Sequence, residues 1–188
     1  MKLKTTLFFL LLTSKVLAQF DIAIDFDNDS IVDKATMINI ESGYKLTFSL
    51  SSQNNKNHTT ETITLGGQKN TLSVSKNILI LSSQFMRGEN KFKFRYDPAL
   101  KEVRLIGYDT KNYGNATNDG SGSSSYNLNI GVYEASWNRF DKKLEKLIPY
   151  PKIRKKLPIK TYLLQDFNDK MIEELDKVSY NLLPSALK

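Results

Sequence analysis

Apolar and polar residues alternate along much of this chain, and the alternation constrains the fold more than any other feature. From Tyr44 to Leu50 an apolar side chain stands at every second position. Successive side chains of a β-strand point to opposite faces, so this segment buries one face and exposes the other. Residues 91–96 and 102–108 repeat the pattern on either side of Asp97-Pro98, a turn signal. They predict an antiparallel hairpin.

A helical period is clear only near the C-terminus. Phe167, Met171, Leu175 and Val178 form one apolar stripe, and Asp166 before them is suited to cap a helix. We therefore expect an amphipathic helix at about residues 166–178. The fold class predicted is mainly β or α+β: an antiparallel sheet or sandwich of about seven to nine strands built from hairpins, with one C-terminal helix.

The first 18 residues have the pattern of a secretory signal peptide. Lys2 and Lys4 precede an apolar run at 7–12, and small residues Val16 and Ala18 precede Gln19. The run is shorter than the roughly 20 residues that span a bilayer, which predicts cleavage and no transmembrane segment in the processed protein. We expect a secreted or periplasmic protein with one β-rich domain at 19–188, and the absence of cysteine excludes disulfides.

An acidic loop at residues 25–33 carries the most specific chemistry. Its aspartates Asp25, Asp27, Asp29 and Asp33 occupy positions 1, 3, 5 and 9, and Ile31 occupies position 7. In calcium loops of the EF-hand type these positions give carboxylate oxygens, a backbone carbonyl at position 7 and a water-mediated contact at position 9. The spacing predicts a Ca²⁺ site, and a solvated turn rich in aspartate is the alternative.

The loop departs from an EF-hand in two ways. Ser30 stands at position 6, where glycine is usual, and Thr36 stands where a bidentate glutamate is expected. The flanking segments also alternate as strands do. The strand–loop–strand pattern D-x-D-x-D-x-x-x-D resembles the calcium loops of FG-GAP (integrin-α-type) repeats in secreted bacterial proteins, and this resemblance implies a Ca²⁺ ion held by the aspartates.

A second polar stretch runs from residue 112 to residue 125 and is rich in glycine, serine and asparagine. Such a composition cannot build a core. It is compatible with a binding loop or a weaker ion site using Asp109, Asn118 and Asp119, and equally with a disordered hairpin tip.

The segment 139–160 is basic and contains three prolines, which favours an extended segment at a sheet edge. Its candidate binding residues are Lys152, Arg154, Lys155 and Lys156. They would suit an anionic surface, an anionic glycan or an acidic protein partner, whereas a solvated connection is the alternative. Nucleic acid is disfavoured, because alternation at residues 91–96 separates cations from aromatic residues.

No nucleophile–base pattern stands out, and the single histidine, His58, lies in a polar stretch. Residues 105–109 and 125–131 also resemble segments of secreted bacterial β-rich proteins that carry no assigned activity. The first hypothesis is a non-enzymatic binding module stabilised by Ca²⁺. The alternatives are a periplasmic inhibitor or immunity-type protein, and a hydrolase that uses paired carboxylates such as Asp109 with Glu134 or Asp119.

Overall fold

A computed structural model describes residues 19–187, so the predicted signal peptide lies outside the described residues. The described chain is mainly β, with two antiparallel sheets and one helix near the C-terminus, as predicted. Its strands are β1 (Gln19–Ile24), β2 (Asp33–Ile40), β3 (Gly43–Ser49), β4 (Asn57–Thr59), β5 (Lys69–Ser75), β6 (Ile78–Phe85), β7 (Gly88–Asp97), β8 (Glu102–Asn112), β9 (Gly122–Asn127), β10 (Val132–Asp141), β11 (Lys146–Pro149) and β12 (Ile153–Lys156).

The smaller sheet has the order β1-β2-β3-β4, and the larger has eight strands that run in chain order from β5 to β10. Strands β11 and β12 follow one another along the free side of β10. The predicted hairpin is formed by β7 and β8, and β9 and β10 form a further hairpin. Every strand pairing within the two sheets is antiparallel, because short turns connect most sequential strands.

The basic segment is extended and lies at a sheet edge, as predicted, but it forms regular strands. Asn138 pairs with Pro149, Ala135 pairs with Ile153, and Tyr150 N donates to Trp137 O at 2.8 Å. Pro151 lies between the two strands and has no N–H to donate, so the ladder is interrupted there. The expected strand number was too low partly because this segment contributes two strands.

Alternation places the aromatic residues of the large sheet on one face. Phe92, Phe94, Tyr108 and Tyr133 are each at most 1% exposed, whereas Lys91 and Lys93 point to the opposite face. These aromatic residues share one apolar core with residues of the small sheet. The core residues from the small sheet are Ala35, Met37, Leu46 and Phe48.

The helix α1 (Asp169–Asn181) begins later than predicted, and its N-cap is Asn168 instead of Asp166. Asn168 Oδ1 accepts a hydrogen bond from Met171 N at 3.1 Å, whereas Asp166 ends a short 3-10 turn. Leu175 faces the core, and the buried Phe167 ring contacts the rings of Phe92 and Phe94. The helix therefore covers the aromatic face of the large sheet, and no helix in residues 19–187 is long and apolar enough to cross a membrane.

Candidate functional sites: an acidic loop and a charged cleft

The acidic loop at residues 25–33 brings three of its four aspartates together. One carboxylate oxygen each from Asp25, Asp27 and Asp29 lies within 4.8 Å of the others. Among the described residues this is the one group of three or more acidic or histidine side chains close enough to share a metal ion. The spacing of positions 1, 3 and 5 in the sequence therefore translates into convergence in space.

Backbone and hydroxyl donors shape the acidic loop. Asp25 accepts from Asp29 N at 3.1 Å and from Ser30 N at 3.0 Å, and Asp29 accepts from Ile31 N at 2.8 Å. Ser30 has φ of 69°, the left-handed conformation for which glycine is usual at position 6. Position 6 of the acidic loop thus has the left-handed turn that is usual there in calcium loops, although serine occupies it instead of glycine.

The acidic loop is also tied to the segment that follows β3. Asp29 Oδ2 accepts from Ser51 Oγ at 2.7 Å, and Ser52 Oγ donates to Asp27 Oδ2. Burial raises the pKa of the Tyr96 hydroxyl above its usual range, and the negative charge of Asp27 raises it further. The carboxylates of Asp27 and Asp29 are therefore held beside the segment that follows β3, and Asp27 also lies near the neutral hydroxyl of Tyr96.

Asp33, the fourth predicted ligand, lies outside this group of carboxylates. It is 0% exposed, and its two oxygens accept from Phe26 N and Ser51 N, each at 2.7 Å. With both oxygens bound to backbone N–H groups, the Asp33 carboxylate ties the start of the acidic loop to the segment that follows β3. The fifth predicted ligand, Ile31, is 58% exposed at the surface of the loop.

The second predicted ion site is not assembled. Asp109 forms an ion pair with Lys93 and accepts from Ser125 Oγ at 2.8 Å, whereas Asp119 accepts from Phe140 N at 2.7 Å. The two aspartates line different clefts. Residues 113–121 form the polar loop between β8 and β9, and Asn118, with φ of 59°, shapes a turn within it.

A charged cleft crosses the exposed face of the large sheet. One row of directly paired residues runs across five strands, so all its side chains point to that face. The row consists of Lys91, Asp109, Ser125, Glu134 and Arg154. The cleft has a volume of about 670 Å³, within the range of a few hundred to about 1,000 Å³ that is typical of small-molecule sites.

The charged cleft unites residues that the sequence assigned to separate features. Asp109 from the predicted ion site and Lys152 and Arg154 from the basic segment all line it. Lys155 pairs with Tyr133 and so lies on the opposite face, and Lys156 donates to the carbonyl oxygen of Ile130. Sequence reasoning missed the serines of the cleft floor, because residues 123–125 are all serine and only the strand register shows that Ser123 and Ser125 are exposed while Ser124 is buried.

Comparison with known proteins found no matching family model, no matching curated protein and no matching solved structure.

Proposed function

We propose that this chain is a secreted or periplasmic, non-enzymatic binding module that a Ca²⁺ ion in the acidic loop stabilises. The observation that supports the ion is the convergence of Asp25, Asp27 and Asp29 within 4.8 Å. Ca²⁺ prefers carboxylate and carbonyl oxygens, accepts six to eight of them and tolerates irregular geometry. Three carboxylates, the Ile31 carbonyl and water would supply a ligand set of that kind.

Electrostatics gives the ion a stabilising role. Three like charges this close repel one another, and the donors to them in the described residues are N–H and O–H groups rather than cations. A divalent cation would replace repulsion with attraction. Because Ser51 and Ser52 bind the same carboxylates, the ion would also strengthen the link between the acidic loop and the end of β3.

The charged cleft supports a binding role on the same module. It is of ligand size and combines charged side chains with serine hydroxyls on rigid strands. Sites on strands are held more precisely than sites on loops. A ligand could therefore bind there without a large rearrangement of the protein.

A hydrolase is the second candidate, because Asp109 and Glu134 line the same cleft. They lie two strands apart, roughly 10 Å at the backbone, which is near the separation used by inverting glycosidases. Each is ion-paired, Asp109 with Lys93 and Glu134 with Arg154. General acid–base chemistry needs carboxyl groups that are placed against the substrate, and a cation already engages each of these two, so binding is favoured over hydrolysis.

Thermal unfolding of the protein expressed from residue 19 tests the calcium proposal. At Ca²⁺ about 100 times its dissociation constant, the free energy of unfolding should rise by about 2.7 kcal/mol relative to EDTA. Mg²⁺ should raise it less, because it holds its waters and demands a stricter octahedron.

The double variant Asp27→Asn/Asp29→Asn is the matched comparison, because it keeps the shape of the side chains and removes two charges. It should unfold at about the wild-type temperature in EDTA and show no response to Ca²⁺. An identical wild-type melting temperature in EDTA and in millimolar Ca²⁺ would show that the acidic loop is a solvated turn.

A further inference from the structure

The charged cleft has unbalanced cations. Its three carboxylates all have cationic partners: Glu89 binds Lys91 at 2.8 Å, Asp109 binds Lys93, and Glu134 binds Arg154. Lys111 and Lys152 also line the cleft, and neither has a carboxylate of residues 19–187 within 4.0 Å. Lys111 Nζ also lies over the Tyr113 ring, 5.0 Å from its centroid, a contact that leaves its positive charge uncompensated. The charges left for a ligand to meet are therefore positive.

These two lysines stand at opposite sides of a serine floor. Lys111 on β8 pairs with Ser123 on β9, and Ser123 pairs with Ser136 on β10. Lys152 directly precedes β12, which lies on the far side of β10. Three steps between neighbouring strands separate the two lysine backbones by roughly 14 Å. One small anion would not use both lysines fully, whereas an elongated ligand with two anionic groups would.

We infer that the charged cleft binds an acidic oligosaccharide, with Lys111 and Lys152 each meeting a carboxylate on a different sugar. This inference rests on the proposed binding function. The hydroxyls of Ser123 and Ser136 both donate and accept hydrogen bonds, as sugar hydroxyls do. The ion pair of Glu134 with Arg154 adds acceptors and donors at the rim without adding net charge.

An acidic peptide fits the same lysines less well. Peptides and proteins gain most of their affinity from a few large side chains that enter apolar pockets. Ile153 is the one large apolar residue among the described residues that line the cleft, and it pairs with Ala135 and packs against the core instead of projecting into the cleft. The cleft therefore offers a peptide charge contacts but little to anchor its side chains, whereas a chain of sugars can use the polar floor along its length.

The test measures binding of hyaluronan and heparosan hexasaccharides, which carry a uronic acid in every second sugar, by isothermal titration calorimetry. Neutral chitohexaose and hexaglutamate are the comparison ligands. We expect both uronate hexasaccharides to bind and both comparison ligands to bind at least tenfold more weakly. Lys111→Gln and Lys152→Gln should each weaken binding about tenfold, since each removes one charge-assisted hydrogen bond.

Lys155→Gln is the matched control, because it removes the same charge from β12 on the opposite face of the sheet. It should leave binding unchanged. Equal weakening by Lys155→Gln, tighter binding of hexaglutamate, or no binding of either uronate hexasaccharide at millimolar concentration would each overturn the inference.

Measurements in EDTA and in Ca²⁺ keep the two proposals separable. Calcium-dependent stabilisation without oligosaccharide binding removes this inference and leaves the calcium proposal in place. Oligosaccharide binding by a protein whose stability does not change with Ca²⁺ would remove the calcium proposal and leave this inference in place.

Discussion

The acidic loop and the polar loop are both exposed, polar and predicted from sequence as possible ion sites, but their partners differ. In the acidic loop, carboxylates of Asp25, Asp27 and Asp29 converge and receive hydrogen bonds from neutral N–H and O–H groups. In the polar loop, the cation Arg87 donates to the carbonyl oxygens of Gly114 and Asn115. A cation of the protein, Arg87, therefore binds the polar loop, whereas hydrogen bonds from neutral groups leave the negative charge of the acidic loop uncompensated.

This difference shows what composition alone misses. The polar loop also carries many side-chain oxygen atoms, yet its side chains hold its own turns: Asn115 Oδ1 accepts from Thr117 N at 3.0 Å and from Asp119 N at 3.1 Å. Oxygen atoms used in this way do not converge on one point. An ion site needs convergence of carboxylates, and strict alternation at positions 1, 3 and 5 provides it.

The largest expected effect is within the acidic loop, at the aspartate that does not converge. Asp33→Asn replaces one carboxylate oxygen by an NH₂ group that faces a buried backbone N–H donor. The variant loses a charge-assisted hydrogen bond and leaves a buried N–H donor without a partner. Together these two effects should lower the free energy of unfolding by about 3 kcal/mol. Urea denaturation in EDTA measures it.

The same substitution at the neighbouring Asp27 is the control. Asp27 accepts from exposed groups, so Asp27→Asn should change stability in EDTA by less than about 0.5 kcal/mol. If the two variants lose the same stability, Asp33 does not have the separate supporting role that its buried hydrogen bonds indicate.

The next effect tests the polar loop. Arg87→Ala removes donors to two carbonyl oxygens and should lower the free energy of unfolding by about 2 kcal/mol, with no dependence on Ca²⁺. Arg139→Ala, at an exposed arginine of β10, is the control for loss of charge. Limited proteolysis should cut the Arg87 variant faster within residues 113–121. Resistance equal to that of the wild type would show that Arg87 does not hold the polar loop.

Much of the fold was predictable, because alternation and turn signals act locally. The fold class and the hairpin of β7 and β8 follow from period-2 segments. The helix start was misplaced because Asp166 and Asn168 both suit a cap, and tertiary packing of Phe167 decided between them. The strands at the basic edge were missed because the prolines suggested irregular structure, yet an edge strand tolerates them.

The charged cleft was beyond sequence reasoning for a different reason. Asp109, Glu134 and Arg154 come from three strands, and Ser125 from a fourth lies between them. Their alignment depends on the register of each strand pair, and a shift of one residue would send a whole row to the opposite face. Each residue type could be noted in the sequence, but the row exists only after every register is fixed.

The smallest expected effect compares the turn residues of the two loops. Ser30 in the acidic loop has φ of 69°, and Asn118 in the polar loop has φ of 59°. Glycine adopts this conformation without steric cost, although it loses more backbone entropy on folding than serine does. Ser30→Gly should therefore stabilise the protein by about 0.5 kcal/mol in EDTA, measured by urea denaturation.

Asn118→Gly should give a smaller gain, because asparagine visits the left-handed region more readily than serine does. The calcium titration should be unchanged in both variants, because the strain of a turn that the folded protein already holds is the same in the free and the ion-bound protein. A loss of stability in Ser30→Gly, or a larger gain in Asn118→Gly, would mean that the left-handed turn at Ser30 is not strained.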